Sequence, residues 1–142
     1  MQQLLKERLQ AYITLNNPEL MAELHSDFSV TNYLEDKVSK VMPIILNLLE
    51  QGKPGYIIEE LSLNEMTAEL KPSRFNYLQT VLETEFSEYY QQWVDLGVLT
   101  YETINLVISC KETFEAFSFS VENEDNRFMR YAIIAAIHDY LN

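Results

Sequence analysis

The residues best able to do chemistry in this sequence are one cysteine and two histidines, Cys110, His25 and His138. A cysteine nucleophile needs a neighbouring base that takes its proton and a third group that orients the base. Cys110 lies inside the apolar run 104–110, where burial favours an inert thiol. We therefore expect no catalytic residue here, and a small hydrolase or transferase that uses Cys110 is the alternative.

The same three side chains are the His and Cys ligands that a metal ion would find in this chain. A structural zinc site needs several of them, and a di-iron helical bundle needs Glu-x-x-His pairs on facing helices. Ala22 and Ala135 stand three residues before the two histidines, so that motif is missing. With three glycines in all, neither a P-loop nor a dinucleotide-binding fingerprint fits. We expect no metal and no cofactor.

Carboxylates are abundant, and their surplus is the most unusual property of the chain. The net charge is −12, from 22 Asp and Glu against 10 Lys and Arg. Nine of the acids and two of the bases lie within residues 56–102, so this third of the chain carries −7. Such a field repels nucleic acid and anionic membranes and attracts basic proteins. Clustered carboxylates acting as an acid–base pair remain part of the enzymatic alternative.

Two tyrosines and two of these glutamates form the candidate interface, which we define as Tyr77, Glu85, Glu88 and Tyr90. The chain contains nine Tyr, and tyrosine offers a large, stiff and half-polar contact if it points outward. Glu85 and Glu88 are three residues apart, so a helix places them on one face. We expect this surface to bind a protein, a basic one or a second copy of the chain, and to bind neither nucleic acid directly nor a membrane.

The element that must position these residues is the stretch from Ser73 to Gly97. Its apolar residues recur in steps of three or four, which predicts one stripe along an α-helix. Ser73 can cap the first turn, and Gly97 can take the left-handed conformation that ends the last. We predict a long central helix whose buried stripe consists of Phe75, Leu78, Leu82, Phe86, Tyr89, Trp93 and Leu96.

Helical spacing also dominates the rest of the chain. Residues 98–121 are rich in β-branched side chains, so they are open between a helix, which we favour, and a short strand. The last helix is predicted to place on one shared face, against a neighbouring element, the residues Phe128, Tyr131, Ala132, Ala135, His138 and Leu141. We predict an all-α fold, a single-domain bundle of residues 1–142 with about six or seven helices. Besides the central one, helices are predicted over about 2–15, 18–24, 32–51, 56–70 and 125–141.

The cellular location follows from hydropathy and cysteine usage. No apolar run approaches the ~20 residues that cross a bilayer, and the N-terminal segment lacks the pattern of a signal peptide. A single cysteine rules out an internal disulfide and suits a reducing compartment. We expect a cytoplasmic protein.

Three short segments stand out, NPEL at 17–20, GKP at 52–54 and LETEF at 82–86. With them the chain resembles a family of small helical bacterial proteins of unassigned function, associated with genes on conjugative elements. The resemblance implies an all-helical fold and carries over no catalytic residue.

Composition, charge and motifs together favour a non-catalytic, acidic interaction or accessory protein. An acidic inhibitor of a basic protein, which imitates DNA, is a second alternative beside the enzyme.

Overall fold

The structure is a computed structural model that describes residues 1–24 and 26–142. His25 lies outside the described residues, and so do the predictions that concern it. In the described part of the chain every regular element is helical, which confirms the predicted all-α fold. The α-helices are α1 (Gln2–Asn16), α2 (Pro18–Leu24), α3 (Asp27–Glu50), α4 (Gly55–Thr67), α5 (Arg74–Glu85), α6 (Ser87–Leu96), α7 (Leu99–Ser109), α8 (Lys111–Ala116) and α9 (Arg127–Leu141).

Residues 1–70 form the first of two compact units. In α1, Leu5, Leu9 and Ile13 recur every four residues and are fully buried, as an amphipathic helix requires. They belong to a core shared with α3 and α4, both of which contact α1. Burying each such side chain stabilises the fold by about 1.5–3 kcal/mol. Pro43 lies within α3, inside the range 32–51 for which a helix is predicted.

Residues 71–142 form the second compact unit, with α5 to α9 and a hydrophobic core of its own. Trp93 of α6 belongs to this core and is 9% exposed, as expected from the apolar stripe. The segment 98–121, for which both helix and strand were open, forms the helices α7 and α8. With the chain divided into two units, the single domain stays a prediction.

The predicted central helix is divided in two at Phe86. The stretch begins with the Ser73 side chain accepting a hydrogen bond from the amide of Asn76, and it ends at Gly97 with φ +73°, both as predicted. Phe86 itself leaves the helical conformation, with φ −134° and ψ 47°. On either side of this bend, α5 and α6 contact each other, and both contact α7. Because one predicted helix is two in the structure, the described residues contain more helices than the six or seven predicted.

The buried face of α9 also differs from the predicted one. Met129, Ile133 and Ile137 are fully buried, in an element that contacts α5, α7 and α8. Phe128 and Tyr131, which were predicted to be buried, remain 61% and 60% exposed. Both groups of residues have the spacing of a helical stripe. The face with Met129, Ile133 and Ile137 is the buried one because these side chains fit the core of this unit.

Candidate protein interface

The cysteine and the described histidine lie in opposite environments. Cys110 has no exposed surface and belongs to the core of residues 71–142. Burial raises the pKa of its thiol from 9.0 to about 11, so the thiol is neutral near pH 7 and a poor nucleophile. His138 is exposed on α9 and shares a 2.9 Å hydrogen bond with the side chain of Asn142. For Cys110 and His138, the two members of this set that the structure describes, this arrangement gives no support to a cysteine–histidine pair.

Metal-ligating side chains are dispersed. Within residues 1–24 and 26–142, no group of three or more His, Cys, Asp or Glu side chains is placed to hold a metal ion.

The two glutamates of the candidate interface lie on either side of the Phe86 bend. Glu85 ends α5, Glu88 is in the first turn of α6, and both are exposed. Glu85 accepts a 3.2 Å hydrogen bond from Arg130 of α9, whose same nitrogen donates to Thr84 at 2.7 Å. An exposed pair of this kind contributes less than about 1 kcal/mol. Glu88 is favoured by its position in the first turn of α6, because the N-terminus of a helix attracts negative charge.

The two tyrosines of the candidate interface are turned toward the core rather than outward. Tyr77 is half-buried, and its ring meets the rings of Phe114 and Phe119 edge-on at 5.7 Å and 5.2 Å. Its hydroxyl is buried and has no hydrogen-bond partner among the described residues. Burial raises the pKa of Tyr77, and Arg130 partly offsets that rise. Tyr90 is also half-buried and packs on the same core. The structure therefore brings the glutamates, but not these rings, to the surface.

The bend at Phe86 exposes a different pair of apolar side chains on α6. Tyr89 is 41% exposed and Leu96 is 65% exposed, although both were predicted to be buried. Phe86 and Trp93 contribute to the core as predicted, and Tyr90 packs there with them instead of Tyr89. The steps from Phe86 to Tyr90 and on to Trp93 are also helical, so the sequence contains the signal for this alternative stripe.

We call the exposed face of this helix the α6 surface, made of Glu88, Tyr89, Gln92, Asp95 and Leu96. The ring of Tyr89 is held against Trp93, with ring centres 6.0 Å apart. Asp95 accepts a 2.9 Å hydrogen bond from Gln91, its neighbour one turn earlier. The α6 surface therefore combines an aromatic side chain, the type enriched at protein interfaces, with two carboxylates.

The electrostatic surroundings of the α6 surface are strongly negative. Residues 75–110 contain five Asp and Glu and no Lys, Arg or His. Of these acids, Glu102 accepts a 2.7 Å hydrogen bond from the hydroxyl of Tyr140, and Glu85 is paired with Arg130. Glu83, Glu88 and Asp95 remain exposed. Their joint field extends into solvent to about the Debye length of 8–10 Å at moderate salt.

Comparison with known proteins found no match: no family model matches the sequence, and no curated protein or solved structure matches the chain. The resemblance to helical proteins of conjugative elements stays a prediction.

Among residues 1–24 and 26–142, no helix combines the length and the apolar character that crossing a bilayer requires.

Proposed function

We propose that this protein is a non-catalytic, acidic interaction protein that binds a basic partner protein through the α6 surface. The observation that carries the proposal is the exposure of Tyr89 and Leu96 directly beside Glu88 and Asp95 on one helix. The proposed setting is the cytoplasm, with an accessory role in an assembly rather than a reaction of its own.

The chemistry of the α6 surface defines the partner. An arginine of the partner can stack on the ring of Tyr89 and donate to the carboxylate of Glu88 or Asp95. The exposed Leu96 adds apolar area that a purely electrostatic contact would lack. The carboxylates then speed association and select for positive charge, whereas Tyr89 and Leu96 supply most of the affinity.

The test combines affinity capture with matched variants of the full chain. The purified protein is immobilised and used to capture partners from its native cell, and the bound protein is identified and titrated by calorimetry. Tyr89→Ala is expected to weaken binding about 10- to 30-fold, as for an interface anchor. Glu88→Gln with Asp95→Asn is expected to weaken it and to flatten its dependence on salt.

The control is the pair Glu122→Gln and Glu124→Gln, which removes the same charge at two other exposed positions. A basic partner lost with the α6 variants and retained with this control supports the proposal. Binding that tolerates every α6 variant, or a captured partner that is acidic, overturns it.

The alternative of an acidic inhibitor that imitates DNA uses the same exposed carboxylates. It predicts that the captured partner binds DNA and that this protein and DNA compete for it. Simultaneous binding of both removes that alternative and leaves the α6 proposal in place.

A further inference from the structure

The bend between α5 and α6 consists of a single residue, Phe86, whose type does not impose it. Residues 74–96 contain neither glycine nor proline, whereas α6 ends at Gly97 in a conformation that glycine favours. Phe86 leaves the helical region with φ −134° and ψ 47°, although phenylalanine is also accommodated within helices. The local sequence of 74–96 is therefore compatible with one continuous helix as well as with two.

The bend also leaves backbone groups on both sides of Phe86 without helical partners. Among the described residues, the amides of Ser87, Glu88 and Tyr89 donate to no backbone carbonyl, and no side chain caps the start of α6. A continuous helix would pair these three amides with the carbonyls of residues 83–85. Straightening the bend therefore gains backbone hydrogen bonds.

The packing of α7 holds the bend in place within one chain. This helix contacts both α5 and α6, and it can keep both contacts only while those two helices hold their present angle. The side chains that a straightened chain would uncover on α5 are Phe75, Leu78, Val81 and Leu82, all of them buried. Residues 87–142 of a second copy would fit this surface, because the same residues already share one core with α5 within one chain.

We propose that Phe86 is a hinge through which two copies of this chain exchange residues 87–142. In the exchanged dimer, residues 74–96 of each copy form one continuous helix, and α6 to α9 of one copy pack on α5 of the other. The core contacts of residues 71–142 are then kept, so monomer and dimer differ at the hinge and in the entropy lost on association. The proposal goes beyond the proposed function, because it concerns a change of conformation and not the basic partner.

Charge opposes the exchange and makes it depend on salt. Glu88 lies in the first turn of α6, where the N-terminus of the helix favours its negative charge. In a continuous helix it would instead lie one turn after Glu85, and the two carboxylates would repel each other. Two chains of net charge −12 repel each other as well. We therefore expect high salt to favour the dimer and low salt to favour the monomer.

Size-exclusion chromatography of the full chain tests the exchange. The protein is concentrated to about 1 mM in about 0.5 M NaCl, held in urea just below its unfolding midpoint so that chains open, and returned to buffer without urea. The wild type is expected to form a dimer that persists for hours after dilution, because its separation requires residues 71–142 to open again. A chain that stays monomeric, or a dimer that dissociates at once on dilution, overturns the proposal.

Two variants block the continuous helix and leave the bent one possible. Ser87→Pro places proline at the first position of α6, which tolerates it, whereas the interior of a long helix does not. It is expected to lower the dimerisation constant at least about 100-fold. Insertion of three glycines after Phe86 lengthens the hinge and is expected to keep the chain monomeric by a different route.

The matched control is Arg127→Pro, which places proline at the first position of α9, after Asn126 in an extended conformation. It is expected to dimerise like the wild type. Circular dichroism establishes that each variant keeps its helices. A folded variant with a blocked hinge that dimerises as readily as the wild type overturns the proposal.

Glu88→Gln is expected to act in the opposite direction. It removes a charge that favours the start of α6 and that would repel Glu85 in the continuous helix, so the dimerisation constant at low salt is expected to rise at least about 3-fold. Glu122→Gln removes the same charge from an exposed position outside residues 74–96 and is expected to have the smaller effect. Equal effects would contradict the position of Glu88 within a continuous helix.

Cross-linking distinguishes an exchanged dimer from two closed chains side by side. Glu85 of α5 lies 3.2 Å from Arg130 of α9, so in an Arg130→Lys chain a carbodiimide reagent can join these two positions directly. The link is expected within one chain in the monomer and between two chains in the dimer, where it gives a covalent dimer on a denaturing gel. Adding Glu85→Gln to the same chain is the control that removes the link. A dimer fraction whose link stays within one chain overturns the exchange.

Discussion

At the scale of single residues, Cys110 shows how strongly burial controls chemistry. It lies at the junction of α7 and α8 without exposed surface, in the core of residues 71–142. An ionised thiol is costly in such surroundings, which is why the pKa of Cys110 rises to about 11. The enzymatic alternative requires a thiolate near pH 7, so this residue is the place to test it.

The raised pKa of Cys110 predicts a loss of stability in alkali. The unfolded thiol ionises from its ordinary pKa of 9.0, and the folded one from about 11. The folded state therefore keeps its full advantage below pH 9 and loses up to about 2–3 kcal/mol as the pH rises from 9 to 11. Urea unfolding at the two ends of this window is expected to show a larger loss for the wild type than for Cys110→Ala.

The tyrosines with raised pKa are common to both proteins, so the difference between them isolates the thiol. Equal losses would contradict the prediction. So would rapid alkylation of Cys110 in the native protein near neutral pH, and that result would revive the enzymatic alternative.

At the scale of elements, the ends of the helices follow local chemistry. Ser26, Ser73 and Asn126 each accept a hydrogen bond from a backbone amide in the first turn of α3, α5 and α9, which satisfies a donor that the helix cannot. Gly97 ends α6 in the left-handed conformation, and the amide of Val98 donates to the carbonyl of Trp93 at 2.9 Å. Such ends are specified by one or two side chains each.

Gly97→Ala is expected to destabilise the protein by about 1–2 kcal/mol, because a side chain disfavours the left-handed conformation. An added Cβ would meet no atom within 4 Å, so the effect comes from the backbone alone. Gly55→Ala is the matched control: it has equal space, no positive φ, and a place at the start of α4. That control is expected to be neutral or to stabilise by up to about 1 kcal/mol. Chemical denaturation measures the free energy of unfolding of both variants. Equal changes in the two would contradict the left-handed conformation of Gly97 as the cause.

At the scale of the whole molecule, the excess of acids acts against folding. Each of the two units carries −6, half of the total. The ion pairs offset little of this, because at least one side chain of each pair is exposed to water and such a pair contributes under about 1 kcal/mol. They include Lys6–Glu35, Arg8–Glu59, Lys37–Glu69, Lys40–Asp36 and Arg130–Glu85.

Self-repulsion predicts that salt stabilises the protein. Raising NaCl from about 10 mM to about 0.5 M shortens the Debye length below the spacing of most surface charges. We expect Tm to rise by about 2–5 °C, which corresponds to about 1 kcal/mol. Calorimetry at a fixed, low protein concentration measures this without a contribution from self-association. A falling Tm would mean that the ion pairs outweigh the repulsion.

In the candidate interface, the positions of some residues could be predicted from the sequence and those of others could not. The exposure of Glu85 and Glu88 follows from sequence, because an ionised carboxylate without a buried partner stays in water. The inward position of Tyr77 depends on Phe114 and Phe119, about forty residues further along the chain. No local pattern reports such a contact, so its orientation could not be predicted.

The sequence by itself determined the helical class, most of the helices, the caps at Ser73 and Gly97, and the negative charge. Periodicity, cap chemistry and composition act over a few residues, and they need no knowledge of neighbours. The tertiary structure alone decided the bend at Phe86, the burial of Tyr90 in place of Tyr89, and the face of α9 that enters the core. In each case two stripes satisfy the same helical spacing, and the choice between them is made by the shape of the elements packed against them.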